Sequence, residues 1–191
     1  MSYIVRELKP AFERLAEPVV SFLQRLGATP NTVTLTGFLL VVCGSVFLYY
    51  GNYPASFFLL LGGGLADALD GSLARRMGRS SPFGAFLDSL VDRVSDALPF
   101  VALALSWQDT ELSLLALMAL LFSYTVSYAR ARAEGLGYEL KVGLFERTER
   151  WILLLAGLLL NVLPLAVALI ALGSFITTLQ RVYTFRKLAR R

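Results

Sequence analysis

Residues 67–92 read DALDGSLARRMGRSSPFGAFLDSLVD, and this stretch decides the fold because it sets four carboxylates, Asp67, Asp70, Asp88 and Asp92, between apolar flanks. SFFLLLGGGLA (56–66) precedes it and ALPFVALALSW (97–107) follows it, and both are apolar enough to lie in or beside a bilayer. An acidic residue at such a depth costs at least ~2.5–3.5 kcal/mol on insertion scales, so acidic residues held there mark a functional site by default. Asp67 and Asp70 are spaced i, i+3 and Asp88 and Asp92 i, i+4, so each pair occupies one helical face. Two facing acidic pairs form a cage for hard divalent cations. Gly71 and Ala74 continue the first face with almost no side chain, which leaves room for a flat or phosphorylated ligand against the backbone.

The whole chain agrees with a membrane setting. Hydrophobic residues make up 56% of it and its mean hydropathy is +0.62, against an apolar share of roughly 45–50% in soluble domains. Six spans of ~20 residues with short loops use up the 191 residues, which leaves no room for a separate soluble catalytic domain. The reading is an all-α integral membrane protein: residues 1–31 a cytoplasmic amphipathic helix and loop, residues 32–191 a six-helix transmembrane catalytic domain. The first residues, MSYIVRELKPAFERLAEP, scatter charge through the segment and so do not read as a signal peptide. Histidine is absent and Cys43 is the only cysteine. A metal would therefore be held by oxygen ligands, and no internal disulfide can form.

From residue 4 to 25, Ile4, Leu8, Phe12, Leu15, Val19, Phe22 and Leu23 recur at spacings of three and four with Arg6, Lys9, Glu13 and Arg14 between them. This is a juxtamembrane helix lying on the surface, broken near Pro18, or a helix packed on the bundle. In GATPNTVT, Asn31 or Thr32 reads as a helix cap behind Pro30. Spans are expected at 32–50, 54–76, 82–107, 111–132, 147–163 and 165–186, separated by Gly51–Pro54, Ser80–Pro82, Gln108–Asp109, Gly135–Gly137 and Asn161–Pro164. Gly62, Gly63 and Gly64 read as a close helix crossing rather than a ligand contact.

Lys and Arg fall before the first span, between the second and third, around the fourth-to-fifth loop and after the sixth, and the other three loops hold none. The positive-inside bias places both termini and the acidic stretch on the cytoplasmic side of the cell membrane. Arg93 stands outside these clusters, one turn from Asp96, and reads as half of an internal ion pair.

The pattern Asp67-x2-Asp70-Gly71-x2-Ala74-Arg75-x8-Gly84-x3-Asp88-x3-Asp92 resembles the signature of the CDP-alcohol phosphotransferase family at all of its fixed positions. The resemblance implies transfer of a phosphatidyl-type group from a CDP-linked lipid, CDP-diacylglycerol or CDP-archaeol, to an alcohol, with release of CMP. It implies two Mg2+ ions, or Mn2+, held by Asp67, Asp70 and Asp88, with Asp92 a ligand or the base that takes the acceptor's proton. It also implies a CDP-lipid pocket of Asn31, Thr34, Asp67, Gly71, Ala74, Arg75 and Gly84, and a homodimer, and it implies no nucleic-acid partner. Without the Gly, Ala and Arg positions, acidic residues in spans would point to a cation transporter or channel. A second acidic cluster in the other half, which a repeat-built transporter would carry, is not in the sequence.

Residues 127–150, SYARARAEGLGYELKVGLFERTER, resemble the prokaryotic phosphatidylinositol-phosphate synthases and their archaeal ether-lipid counterparts, with Arg130 where those carry lysine. By that resemblance Arg130, Arg147 and Arg181 bind the phosphate of a small phosphorylated polyol, inositol 1-phosphate first and glycerol 3-phosphate second. The plain alternative is that these arginines obey the positive-inside bias, while Arg132 and Arg150 pair with Glu134, Glu146 or Glu149.

Overall fold

A computed structural model describes residues 3–78 and 81–190, the side chains of residues 3–13 excepted. The pattern formed by Ile4, Leu8, Phe12 and the charges between them, and the basic residues Arg79 and Arg191, lie outside these. All regular structure among the described residues is helical: α1 (Tyr3–Arg25), α2 (Pro30–Tyr49), α3 (Tyr53–Met77), α4 (Pro82–Ser106), α5 (Thr110–Gly135), α6 (Arg147–Leu159) and α7 (Leu163–Leu188). The chain divides into two compact units, Glu7–Ala102 and a second made of the residues from Leu103 onward with the first residues of α1, so that the division falls within α1 and α4.

In the first unit α2 and α3 pack antiparallel on a seam of small residues. A Cβ on Gly63 would lie 2.5 Å from Val41 Cγ2, and one on Gly37 would lie 2.9 Å from Ala66 Cβ. The expected close crossing is therefore present at Gly63, whereas Gly62 meets only Leu40, at an ordinary 3.4 Å. Ala16 and Val20 of α1 pack with Val33 and Leu73 in one buried cluster, and Arg76 Nη1 donates to Ser21 Oγ at 2.7 Å. The helix α1 runs unbroken past Pro18. That position is exposed, so the carbonyl left without its N–H partner sits at the surface, and the break expected there does not occur.

Caps follow short polar residues. Thr29, not Asn31 or Thr32, caps α2: Pro30 occupies the first turn, where its missing N–H costs nothing, and Thr29 Oγ1 accepts from Thr32 N at 3.2 Å. Asn52 starts α3 through Ala55 N at 3.2 Å, and Asp109 starts α5 through Glu111 N at 2.8 Å and Leu112 N at 3.0 Å.

In the second unit α7 packs against both α5 and α6. Thr125 and Thr178 share a 2.9 Å hydrogen bond between α5 and α7, and a Cβ on Gly157 of α6 would come 2.5 Å from Ala166 Cβ of α7. Between α5 and α6 the chain leaves helical geometry, and residues 138–146 form an irregular connection that bends at Leu144 and Phe145.

Four helices, α2, α3, α5 and α7, are long and apolar enough to cross a membrane. Leu35, Leu39, Leu121, Leu165, Leu172 and Leu179 stand exposed on three of them, a face that a bilayer covers and water would not. Together these define an all-helical integral membrane protein. The segments expected as third and fifth spans differ: α4 is long enough but carries Asp88, Asp92, Arg93 and Asp96. Helix α6 ends at Leu159 after 13 residues, about 20 Å at 1.5 Å per residue, because the turn through Asn161, at φ 56°, begins earlier than expected.

Candidate functional site

The α2–α3 register builds the acidic site. With Gly37 against Gly63 and Ala66, the next turns bring Thr34 opposite Asp70, and Thr34 Oγ1 donates to Asp70 Oδ2 at 2.5 Å. Thr34 lies within the segment that the sequence offered chiefly as a helix start, and the antiparallel packing carries it to the aspartates. Asp88 comes from α4, whose start is held by Ser81, with Gly84 N donating to Ser81 Oγ at 3.0 Å.

One carboxylate oxygen from each of Asp67, Asp70 and Asp88 lies within 4.8 Å of the other two. Asp70 is 5% exposed and the other two are half-buried. Three carboxylates so close repel one another unless a cation lies among them. An all-oxygen set without histidine or thiolate suits Mg2+ or Mn2+, so these residues fit a hard divalent ion. Asp92 is not one of that trio: it stands one turn beyond Asp88 on α4, with Arg93 Nη2 at 3.6 Å from its Oδ2.

The small positions border this cluster. A Cβ on Gly71 would lie 3.6 Å from Arg75 Nη1, so the guanidinium folds back over a residue without a side chain, and Arg75 Nη2 donates to Ser72 Oγ at 3.1 Å. A Cβ on Gly84 would lie 4.0 Å from Asn31 Oδ1, which brings the α2 start to the α4 start. Ala74 sits half-buried on α3.

The three arginines singled out for an acceptor phosphate all belong to the second unit. Arg130 Nε bonds Glu134 Oε1 at 2.8 Å along α5, and Arg147 opens α6, half-buried. Arg181 is 2% exposed, and its guanidinium donates to Val126 O at 2.5 Å, to Val142 O at 2.8 Å and to Glu146 Oε1 at 3.4 Å. The charges of Arg130 and Arg150 bear on Arg181, as do those of Glu146 and Glu134. Arg150 Nη1 reaches Phe145 O at 3.4 Å, and Glu149 joins Glu146 in a capping box at the start of α6. Reading the sequence missed Gly143, Thr177 and Gln180, which join these arginines' surroundings. The available signal was Gly173, Thr177 and Arg181 at i, i+4, i+8, one face of a helix expected to span the membrane.

An integral membrane protein whose first unit holds a carboxylate cluster that fits a divalent cation, bordered by small-residue positions, and whose second unit holds a set of arginines, is of the kind that handles phosphorylated lipid substrates. The chain belongs to the CDP-alcohol phosphatidyltransferase family, whose model matches residues 27–180, and it is a transferase of the membrane. It is 39% identical over 189 residues to the archaetidylinositol phosphate synthase of Pyrococcus horikoshii, covering 96% of this chain and 97% of that one. It is 36% identical to the phosphatidylinositol phosphate synthase of Streptomyces avermitilis, with 92% and 80% covered. Crystal structures of the Mycobacterium tuberculosis phosphatidylinositol phosphate synthase also match. The form with CDP-DAG bound does so at TM-score 0.81, 33% identity and 90% and 94% coverage, and the complex with manganese and citrate at TM-score 0.80, 34% identity and 88% and 87% coverage.

Proposed function

We propose that this protein transfers a phosphatidyl-type group from a CDP-linked lipid, CDP-diacylglycerol or CDP-archaeol, to a hydroxyl of inositol 1-phosphate, releasing CMP. The observation that carries the reading is the Asp67–Asp70–Asp88 cluster inside a family signature intact at every fixed position. Relatives named for inositol phosphate products along nearly the full chain support the choice of acceptor. Asp67, Asp70 and Asp88, with Asp92 as a further ligand or as the base, would hold two divalent ions, Mg2+ or Mn2+. Such ions, when bound, neutralise the diphosphate and the charge that develops on it.

The chain's own residues supply positioning and proton transfer. Thr34, Asn31, Gly71, Ala74, Arg75 and Gly84 line the CDP-lipid pocket, where the glycines admit the ligand against backbone and Arg75 meets phosphate. Asp92 accepts the proton of the acceptor hydroxyl. The oxygen so freed bonds to the lipid-linked phosphorus, the bond from that phosphorus to the CMP oxygen breaks, and CMP leaves with the electron pair. No covalent enzyme intermediate is formed. Arg130, Arg147 and Arg181 bind the acceptor's phosphate. The frame is six transmembrane helices in residues 32–191 with residues 1–31 a juxtamembrane element, the acidic site and both termini facing the cytoplasm, in a homodimer.

The test is purified protein with CDP-diacylglycerol and Mg2+, offered inositol 1-phosphate, glycerol 3-phosphate, free inositol or serine, with CMP release followed. Turnover on inositol 1-phosphate above the other three is expected. Turnover on serine or free inositol with both phosphates inert would refute the acceptor assignment, and preference for glycerol 3-phosphate would move the protein to the synthesis of a glycerophosphate lipid.

A further inference from the structure

The irregular connection before α6 is fastened to α7 at Val142, Leu144, Phe145 and Glu146. Arg181 Nε donates to Val142 O at 2.8 Å, Gln180 Oε1 accepts from Leu144 N at 3.2 Å, and Thr177 Oγ1 accepts from Phe145 N at 2.9 Å. Arg181 Nη2 stands 3.4 Å from Glu146 Oε1. Gly143 lies so close that a Cβ there would come 2.8 Å from Thr177 Cγ2, and a Cβ on Gly173 would strike the Phe145 ring at 2.5 Å. Farther out, the Tyr138 and Phe185 rings meet edge to face at 5.3 Å. The strap thus runs antiparallel along α7 from Phe185 to Gly173, and it delivers the chain directly into Arg147, the first residue of α6.

Two features exceed what joining two helices requires. Thr177 is wholly buried, and its hydroxyl both donates to Gly173 O at 2.8 Å and takes the Phe145 N–H. A buried hydroxyl in an apolar helix is therefore committed to the backbone two residues before Arg147. The strap also returns a carbonyl, that of Val142, to the Arg181 guanidinium, three of whose five N–H groups are engaged by Val126, Val142 and Glu146. One docking event sets the start of α6 and the plane of Arg181 together.

The geometry points to Thr177 and Gly143 as positioning residues that set affinity for the acceptor's phosphate by docking the strap 142–146 on α7. Neither touches the substrate. They act through Arg147 and Arg181, so the inference rests on the proposed role of those two arginines.

The test uses the full-length enzyme in lipid nanodiscs with CDP-diacylglycerol and inositol 1-phosphate, and the variants Thr177→Val, Thr177→Ser and Gly143→Ala. Displacing a binding group by an ångström or so costs up to ~100-fold. Accordingly Thr177→Val and Gly143→Ala should raise KM for inositol 1-phosphate about tenfold, with kcat and KM for the CDP-lipid within about twofold. Thr177→Ser, which keeps the hydroxyl, should stay near wild type. Amide hydrogen exchange at Leu144 and Phe145 should quicken in the first two variants and not in the third. Exchange that quickens while the acceptor KM stays put overturns the inference, as does a parallel loss in kcat and both KM values. Unchanged exchange in both Thr177→Val and Gly143→Ala overturns the docking itself. Failure of the underlying reading shows separately: Arg147→Gln in an otherwise wild-type chain would then leave the acceptor KM unchanged.

Discussion

Asp92 and Arg147 are the residues whose roles can be separated most cleanly. Asp92 stands one turn beyond Asp88 on α4, outside the Asp67–Asp70–Asp88 trio, and is the base in the proposed reaction. Asp92→Asn keeps shape and removes the basic oxygen, so turnover should fall by at least ~100-fold, the lower end of what a positioned base contributes. CDP-lipid binding, measured by isothermal titration, should survive. A near-wild-type rate would remove Asp92 from the proton transfer. Arg147→Gln should raise KM for inositol 1-phosphate about tenfold or more, with CDP-lipid KM little changed, because the two phosphates would be held by different side chains. Steady-state rates with each substrate varied in turn measure that split. At this scale the aspartates were legible because carboxylates in an apolar stretch need a reason. The Thr34–Asp70 bond was not, since the two residues lie 36 positions apart and a threonine near a helix start is explained by capping alone.

At the scale of elements, the α2–α3 pair is the scaffold of the site. Gly37 and Gly63 admit backbone where any side chain would meet Val41 or Ala66, and this sets which residues of the two helices face each other. Gly63→Leu should destabilise the fold by about 1–3 kcal/mol through overpacking. Because the same crossing aligns Thr34 with Asp70, it should also weaken Mn2+ binding. Thermal unfolding in detergent and Mn2+ titration by electron paramagnetic resonance measure the two effects, and a variant with an unchanged midpoint would show the crossing to be loose. Helix positions were legible from apolar runs and turn residues, with starts and ends falling within a few residues. The N-cap Thr29 was displaced from the expected Asn31 or Thr32 because proline prefers the first turn itself. The strap 138–146 could not be read at all. Its hydrogen bonds join backbone groups to α7 side chains more than thirty residues away, and an irregular segment between two helices has no periodicity to betray it.

Across the whole molecule, charge is sorted by loop: the three loops expected to face outward carry no Lys or Arg, while Arg186 and Lys187 close α7. In a Cys43→Ser background, a cysteine at Gln108 should react with an impermeant maleimide applied to intact spheroplasts, and a cysteine at Arg190 only after lysis. The opposite labelling would invert the proposed topology. Hydropathy made the membrane class legible at this scale, yet it assigned six spans where four helices are both long and apolar enough to cross a membrane. Helix α4 departs from that scheme because it carries the charged residues of the site, and α6 because its turn arrives early. We propose that the signature aspartates form a divalent-metal centre for a CDP-lipid. Anomalous diffraction from crystals of the Mn2+-loaded protein with CDP-diacylglycerol tests it most directly. Peaks within coordination distance of Asp67, Asp70 and Asp88, with Asp92 alongside, are expected; manganese bound elsewhere, or none in a lipid-occupied complex, would contradict the claim.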